Sequence, residues 1–388
     1  MDTTQQHIYL DHSATTPVDP RVTEAMSPYW GVVFGNSESS HVFGQKAASA
    51  LEQARQTAAN VLGCRPSELV FTGSGTEADN LALRGAVWAA RQSGRGDHIV
   101  TTPIEHHAVG RTVDQLCDVF GFEATQVLVD GNGAVDPDDV AAAIRPGTVL
   151  VSIIMANNEV GTVQPMVKIG RVCREREIIF HTDAVQVAGR LPLELDDLNL
   201  DLLALSAHKF YGPKGVGLLY VRRGTTLLPA ITGGGHERGR RPGTVNVAGA
   251  VGLATALRLA EEGRVSEAAR LRHLRDRLIE GVLASVPDSR LTGHPKCRLP
   301  HHASFAFHGV EGQAVVLELD LQGIAAGSGA ACSEGESEPS FVLEAMGLLP
   351  DWSVGSLRLT LGRSNDEADV ERVLEVLPGV VAGLRAGG

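Results

Sequence analysis

The chain has 388 residues, 43% of them apolar, and a formal net charge of −12. That length exceeds what one compact core usually serves, so two domains are expected. The acidic balance argues against a nonspecific nucleic-acid binder, which needs a basic face. No apolar run reaches membrane-spanning length, and five cysteines without a C-x-x-C pair argue against a disulfide framework or a zinc ribbon. Residues 1–7 are polar and lack a signal-peptide core, so a cytoplasmic protein is expected.

In chain order, Ile8-Tyr9-Leu10 reads as a short strand before a loop of small and polar residues, Asp11 to Pro17. Residues 44–62 form a helical pattern, with Ala47, Ala50, Leu51, Ala54, Ala58 and Val61 on or near one stripe and Gly63 as its stop. An α/β alternation follows. Strands are expected at 69–72, 99–102, 126–129, 149–155, 178–183, 202–205 and 217–221, and helices at 77–91, from 105, at 136–144 and at 166–176. Apolar strand runs separated by helices predict a mostly parallel sheet covered on both faces. A Gly/Arg loop over 233–244 breaks the rhythm and leads into a long helical stretch over 246–286. The remainder reads as a smaller α+β domain. It has an alternating strand at 302–308, a helix at 313–321, a small-residue loop over 325–335 carrying Cys332, a strand at 357–361 and a final helix from 366. The expected division is residues 16–250 for the large domain, and 1–15 with 251–388 for the small one.

Chemistry gathers at the predicted strand ends, where ligands bind in open α/β sheets. Gly73-Ser74-Gly75-Thr76 lies between a strand and a helix, so its N–H groups suit a phosphate. The segment also reads G-x-G-x-x-A, but the next strand ends in Thr101-Thr102-Pro103. The acid that a dinucleotide ribose needs, about 20 positions on, is missing, and a single phosphate fits better. Asp183 and Lys209 end successive strands. They form either a plain ion pair or an acid facing a protonated heterocyclic nitrogen beside a Schiff-base lysine, the pattern of a pyridoxal 5'-phosphate site. His106, at a helix start, suits ring stacking. Adjacent His106 and His107 point apart on a helix, which disfavours a metal site. Asn158 and Gln186 are turn formers or hydrogen-bonding partners of a bound molecule. Arg358 is either surface-paired or a fork for a carboxylate. Cys332 sits in Gly327-Ser328-Gly329-Ala330-Ala331-Cys332-Ser333-Glu334-Gly335, a setting for an accessible nucleophilic thiol; the other four cysteines read as structural.

Taken in order, these motifs resemble the cysteine desulfurases, a class V aminotransferase-like branch of the fold-type I pyridoxal phosphate enzymes. The likeness runs through Tyr9 to Pro17, Phe34-Gly35-Asn36-Ser37, Thr72 to Asn80, Glu105 to Val109, Asn157 to Gly161, His181 to Gln186, Ser206 to Gly215, His236 to Thr244, the Cys332 loop and Leu357 to Arg363. The resemblance implies the roles. Lys209 holds the cofactor and shuttles the substrate proton, Asp183 pairs with the ring nitrogen, Gln186 bonds the ring oxygen and His106 stacks on the ring. Gly75, Thr76, Ser206 and His208 hold the phosphate, and Thr244 adds a contact from a second subunit, which implies a homodimer. Asn158 and Arg358 bind the carboxylate of L-cysteine, and Cys332 takes its sulfur as a persulfide for an acceptor protein in iron–sulfur assembly or tRNA thiolation. Rival readings are a selenocysteine lyase, a C–S lyase or an aminotransferase of the same fold, and a non-catalytic sulfur-assembly adaptor. The segment after Cys332, Ser333-Glu334-Gly335-Glu336-Ser337-Glu338-Pro339, is acidic. It either raises the thiol pKa or docks a basic partner.

Overall fold

The structure, a computed structural model, describes residues 7–329, 332–333, 336–337 and 339–387. From the N-terminus, β1 (Ile8–Tyr9) is followed by α1 (Pro20–Met26), α2 (Pro28–Gly31) and α3 (Val42–Leu62). Then come β2 (Leu69–Thr72), α4 (Gly75–Gln92), β3 (His98–Thr101), α5 (His107–Asp118), β4 (Glu123–Gln126), α6 (Pro137–Ala143) and β5 (Thr148–Ser152). The first half closes with α7 (Met166–Glu175), β6 (Ile179–Asp183), β7 (Leu202–Ser206) and β8 (Gly217–Val221). Seven of these strands form one sheet in the order β2-β8-β7-β6-β5-β3-β4. Only β8 runs against its neighbours β2 and β7; the other pairings are parallel. The inner strands β5, β7 and β8 are buried at every residue, as burial of both faces demands. Leu81, Leu83, Val87, Val109 and Val113 of α4 and α5 cover one face. Residues of α3, α7 and the next helix cover the other.

That next helix, α8 (Val247–Ser285), is a single 39-residue element. At ~1.5 Å per residue it is a rod of roughly 60 Å. Leu253, Leu257 and Ala260 pack into the first core, whereas Leu271, Leu274, Leu278 and Val282 pack into a second. The helix therefore crosses from one core to the other without a break. The second core is built on β9 (Ser289–Leu291), β10 (His302–Phe307), α9 (Gly312–Leu321) and β11 (Ile324–Ala325). The chain continues through the two-residue strands β12 (Cys332–Ser333) and β13 (Glu336–Ser337), α10 (Phe341–Ala345), whose Val342 and Leu343 pack on Ile104, Ile154 and Val160, and α11 (Pro350–Ser353), and returns to the second core with β14 (Ser356–Thr360) and α12 (Glu367–Gly387). Strand β10 lies between β14 and β9, antiparallel to both, and β1 pairs with β11 in parallel, so the N-terminus is built into this second unit.

Two expectations need correction. The strand expected at 126–129 is β4, Glu123–Gln126, at the sheet edge and largely exposed. The apolar run that follows instead buries Val127 and bridges Val129 to Val135. The alternating strand expected at 302–308 is β10, buried at all six positions because Ala303, Phe305 and Phe307 face the second core while His302 and Ser304 on the other face bond to Asn158 O, Val160 O and Thr292 O.

Candidate active site

Helix α4 begins where β2 stops. Ser74 caps it, its Oγ accepting from Glu77 N at 3.1 Å, and the Glu77 carboxylate accepts from Gly73 N at 2.6 Å. Arg241, from the Gly/Arg loop, donates to the same carboxylate at 2.6 Å. Gly75 has no room for a side chain: a Cβ there would meet Val185 Cγ2 at 2.8 Å and Ser206 Cβ at 3.1 Å. The N-terminus of α4 thus opens against the ends of β6 and β7. Helix α5 starts likewise, with His106 Nδ1 accepting from Ala108 N at 3.1 Å.

Lys209 sits in a single 3₁₀ turn directly after β7. Its Nζ donates to Ser13 O at 2.5 Å and Ala14 O at 2.7 Å. Burial, with help from Arg358 and Arg190, brings this amine down to about 8. Asp183, the last residue of β6, accepts from Val185 N at 2.9 Å. Burial raises its carboxyl pKa, against the pull of His106 and Lys209. Gln186 Nε2 donates to Ser13 O at 2.9 Å, and its buried Oε1 has no partner among the described residues. His208 Nδ1 lies 3.1 Å from Thr15 Oγ1; burial and the neighbouring lysines 209 and 214 lower it to about 4.

These elements surround one pocket of about 280 Å³. Of the residues singled out in the sequence, Gly75, Thr76, His106, Asn158, Asp183, Gln186, Ser206, His208, Lys209 and Arg358 all line it. Arg358 reaches in from β14 of the second unit, donating to Asn158 O at 3.1 Å and pairing with Asp11 at 2.8 Å. Its Nε has no hydrogen-bond partner among the described residues. Thr244 is exposed on the loop before α8 and is not part of the pocket wall. The backbone at Cys332 pairs with Ser337 in a short hairpin; its side chain lies outside the described residues.

With this geometry in place, the comparisons decide the family. A profile of the Aminotransferase class-V family matches residues 8–373. The chain belongs to that family. This chain is 45% identical over 379 residues to a cysteine desulfurase IscS of Clostridium botulinum, covering 97% of this chain and 94% of the relative. It is 47% identical over 386 residues to the cysteine desulfurase IscS of Methanosarcina thermophila, covering 99% and 94%. Among solved structures, a NifS-like protein superposes with a TM-score of 0.91 at 36% identity, covering 98% of this chain and all of that one. SspA, determined in complex with cysteine, superposes with a TM-score of 0.80 at 35% identity, covering 91% and 98%.

The pocket suits the family's cofactor, pyridoxal 5'-phosphate. A side-chain-free helix start at Gly75 leaves N–H groups for a phosphate. Gln186 and Asp183 line the volume a ring would fill, and Lys209 stands at its wall. Sequence reasoning assigned no role to Ser13, Ala14 or Asp79, which also line the pocket. Asp79 had a legible signal: an acid four residues after Gly75 shares its helix face, among the apolar residues Ala78, Leu81 and Ala82.

Proposed function

We propose that this protein is a pyridoxal 5'-phosphate-dependent cysteine desulfurase that converts L-cysteine to L-alanine and delivers the sulfur through Cys332 to an acceptor protein. The observation that carries the reading is the convergence of Lys209, Asp183 and the α4 N-terminus on one pocket, on a chain whose full-length relatives are cysteine desulfurases. When bound, the cofactor supplies an electron sink for negative charge at the substrate's α-carbon. The chain's own residues do the rest. Gly75, Thr76, Ser206 and His208 would hold the phosphate, Asp183 would serve the ring nitrogen and Gln186 the ring oxygen, and His106 would pack on the ring. Asn158 and Arg358 orient the substrate carboxylate; the Asn158 side-chain amide has no other hydrogen-bond partner among the described residues. Lys209, with its lowered pKa, takes the α-proton and returns a proton to carbon near neutral pH. The Cys332 thiolate attacks the substrate sulfur, an S–S bond forms as the C–S bond breaks, and the product leaves as alanine.

We read the first core as the cofactor-holding domain and the second as the smaller domain that supplies Arg358 and the Cys332 segment. A homodimer is part of this reading. Trp30, Val32 and Phe34 are 67%, 79% and 67% exposed, and Phe34 packs on Phe43 at 5.4 Å between ring centroids. An apolar patch of that kind suits a protein interface, and Thr244 is free to reach a neighbouring pocket. The test is reconstitution with pyridoxal phosphate, followed by alanine and persulfide release from L-cysteine. Cys332→Ala should keep the yellow chromophore and lose persulfide formation, while Lys209→Ala should lose the chromophore's Schiff-base absorption. Undiminished sulfur transfer by Cys332→Ala would defeat the assignment, and amine transfer to a keto acid in its place would make the protein an aminotransferase.

A further inference from the structure

Two buried carboxyls, Asp183 and Asp79, line the pocket, and a third, Glu105, is buried within electrostatic reach of both. Asp183 ends β6, Asp79 projects from α4, and Glu105 precedes α5; none is more than 5% exposed. Buried carboxyls this close oppose one another's ionisation, so they do not all carry charge. Their partners differ. Asp183 accepts from Val185 N and has Lys209 and His106 acting on it from the pocket side. Glu105 Oε1 accepts from Thr102 Oγ1 at 2.7 Å and from Ile154 N at 2.9 Å. Asp79 accepts no hydrogen bond among the described residues. The charged groups acting on it are Asp183 and Glu105, both of its own sign, and no cationic side chain offsets them.

Against it stands His181, two residues before Asp183 on β6. Asp79 Oδ1 and His181 Nε2 stand 3.4 Å apart, both buried and, among the described residues, both without a hydrogen bond. On its other side the ring is held by Ser152, whose Oγ lies 2.8 Å from His181 Nδ1. Burial keeps this imidazole neutral, down to about 3. A buried carboxylate without donors is costly, whereas a carboxylic acid has an O–H to give. With the imidazole proton on Nδ1 and donated to Ser152, His181 Nε2 is the acceptor facing that O–H.

We propose that Asp79 is a positioning residue held as the neutral acid, its O–H directed at His181, so that Asp183 alone bears the negative charge at the base of the pocket. The inference rests on reading the pocket as a pyridoxal phosphate site, where one ring cation calls for one carboxylate. Asparagine has the shape of a neutral aspartic acid, so Asp79→Asn preserves the arrangement and Asp183→Asn destroys it.

The experiment is infrared difference spectroscopy of the apoprotein near neutral pH, wild type minus Asp79→Asn, with pyridoxal phosphate affinity measured on the same samples. The expected result is a protonated-carboxyl C=O band that is lost in Asp79→Asn and kept in Asp183→Asn, with the cofactor affinity of Asp79→Asn unchanged. Carboxylate bands alone for Asp79, a protonated band that disappears in Asp183→Asn instead, or an affinity loss of about tenfold or more in Asp79→Asn overturns the proposal. Should Asp79→Asn fail to fold, carboxyl-¹³C-labelled aspartate in the wild type decides the matter. A protonated aspartate resonance that does not titrate near neutral pH supports the proposal, and its absence overturns it. Failure of the wild type to bind pyridoxal phosphate would sink the functional reading alone, because the infrared band reports on Asp79 without the cofactor.

Discussion

Lys209 shows how a residue's surroundings make its chemistry. A lysine in water carries its proton at neutral pH and cannot act as a base there. Here burial and two arginines disfavour the charge, and the amine moves from 10.5 to about 8. Its carbonyl partners, Ser13 O and Ala14 O, fix where the nitrogen stands. In the cofactor-free protein, Lys209 is therefore expected to react with an amine-selective acylating reagent with a midpoint near pH 8. Peptide mass spectrometry of the labelled chain checks this, and a midpoint near that of ordinary lysines would refute the desolvated amine.

At the scale of elements, the site is made of ends. The parallel strands β5, β6 and β7 deliver their last residues to one rim, and α4 starts at that rim because Ser74 caps it. Ser74→Ala removes the acceptor for Glu77 N and is expected to cost about 1 kcal/mol of stability. It should also weaken pyridoxal phosphate binding, since the same helix start faces the phosphate. Urea denaturation and a cofactor titration measure the two effects, and a stability loss with unchanged affinity would remove α4 from the phosphate site. The Gly/Arg loop is tied to this end of the sheet as well. Glu237 pairs with Arg55 at 2.7 Å and accepts from Phe71 N at 2.8 Å, and both partners of the ion pair are buried. Glu237→Ala leaves the buried Arg55 with only the exposed Glu52 carboxylate as an ion-pair partner and takes the acceptor from Phe71 N, a loss expected at about 3 kcal/mol, readable as a lower urea midpoint.

For the whole molecule, buried titratable groups shape stability against pH. Burial raises Glu105 from 4.5 to about 8, so the folded state holds a proton that the unfolded chain releases. That contribution is present below 4.5 and is lost as pH rises to about 8, at no more than ~1.4 kcal/mol per pH unit. His12 and His208 act oppositely: burial lowers both from 6.5 to about 4, so the unfolded chain binds the extra protons and stability falls as pH drops through that window. Above 6.5 these histidines are neutral in both states, and the raised buried carboxyls set the slope, Glu105 together with Asp79 and with Glu159, which burial raises to about 7. The melting temperature is therefore expected to fall from pH 6.5 to 8, and Glu105→Gln to flatten that limb. An unchanged slope in Glu105→Gln would show that Glu105 is ionised throughout.

Much of this protein is written locally. Period, caps and glycine stops place most of the helices and strands within a few residues, because those signals act over one or two turns of chain. Motifs at strand ends made Lys209, Asp183 and the Gly73–Thr76 turn visible as one kind of chemistry. Other features depend on contacts between residues far apart in sequence. Edge position moved β4 ahead of the more apolar run, and cover on both faces buried all of β10. The ion pair of Arg358 with Asp11 joins residues 347 apart. Asp79 carries no role until the fold sets it against His181 and beside Asp183. Local sequence decides which elements form and where they stop. Packing alone decides which buried groups share a dielectric, and hence which of them carry charge.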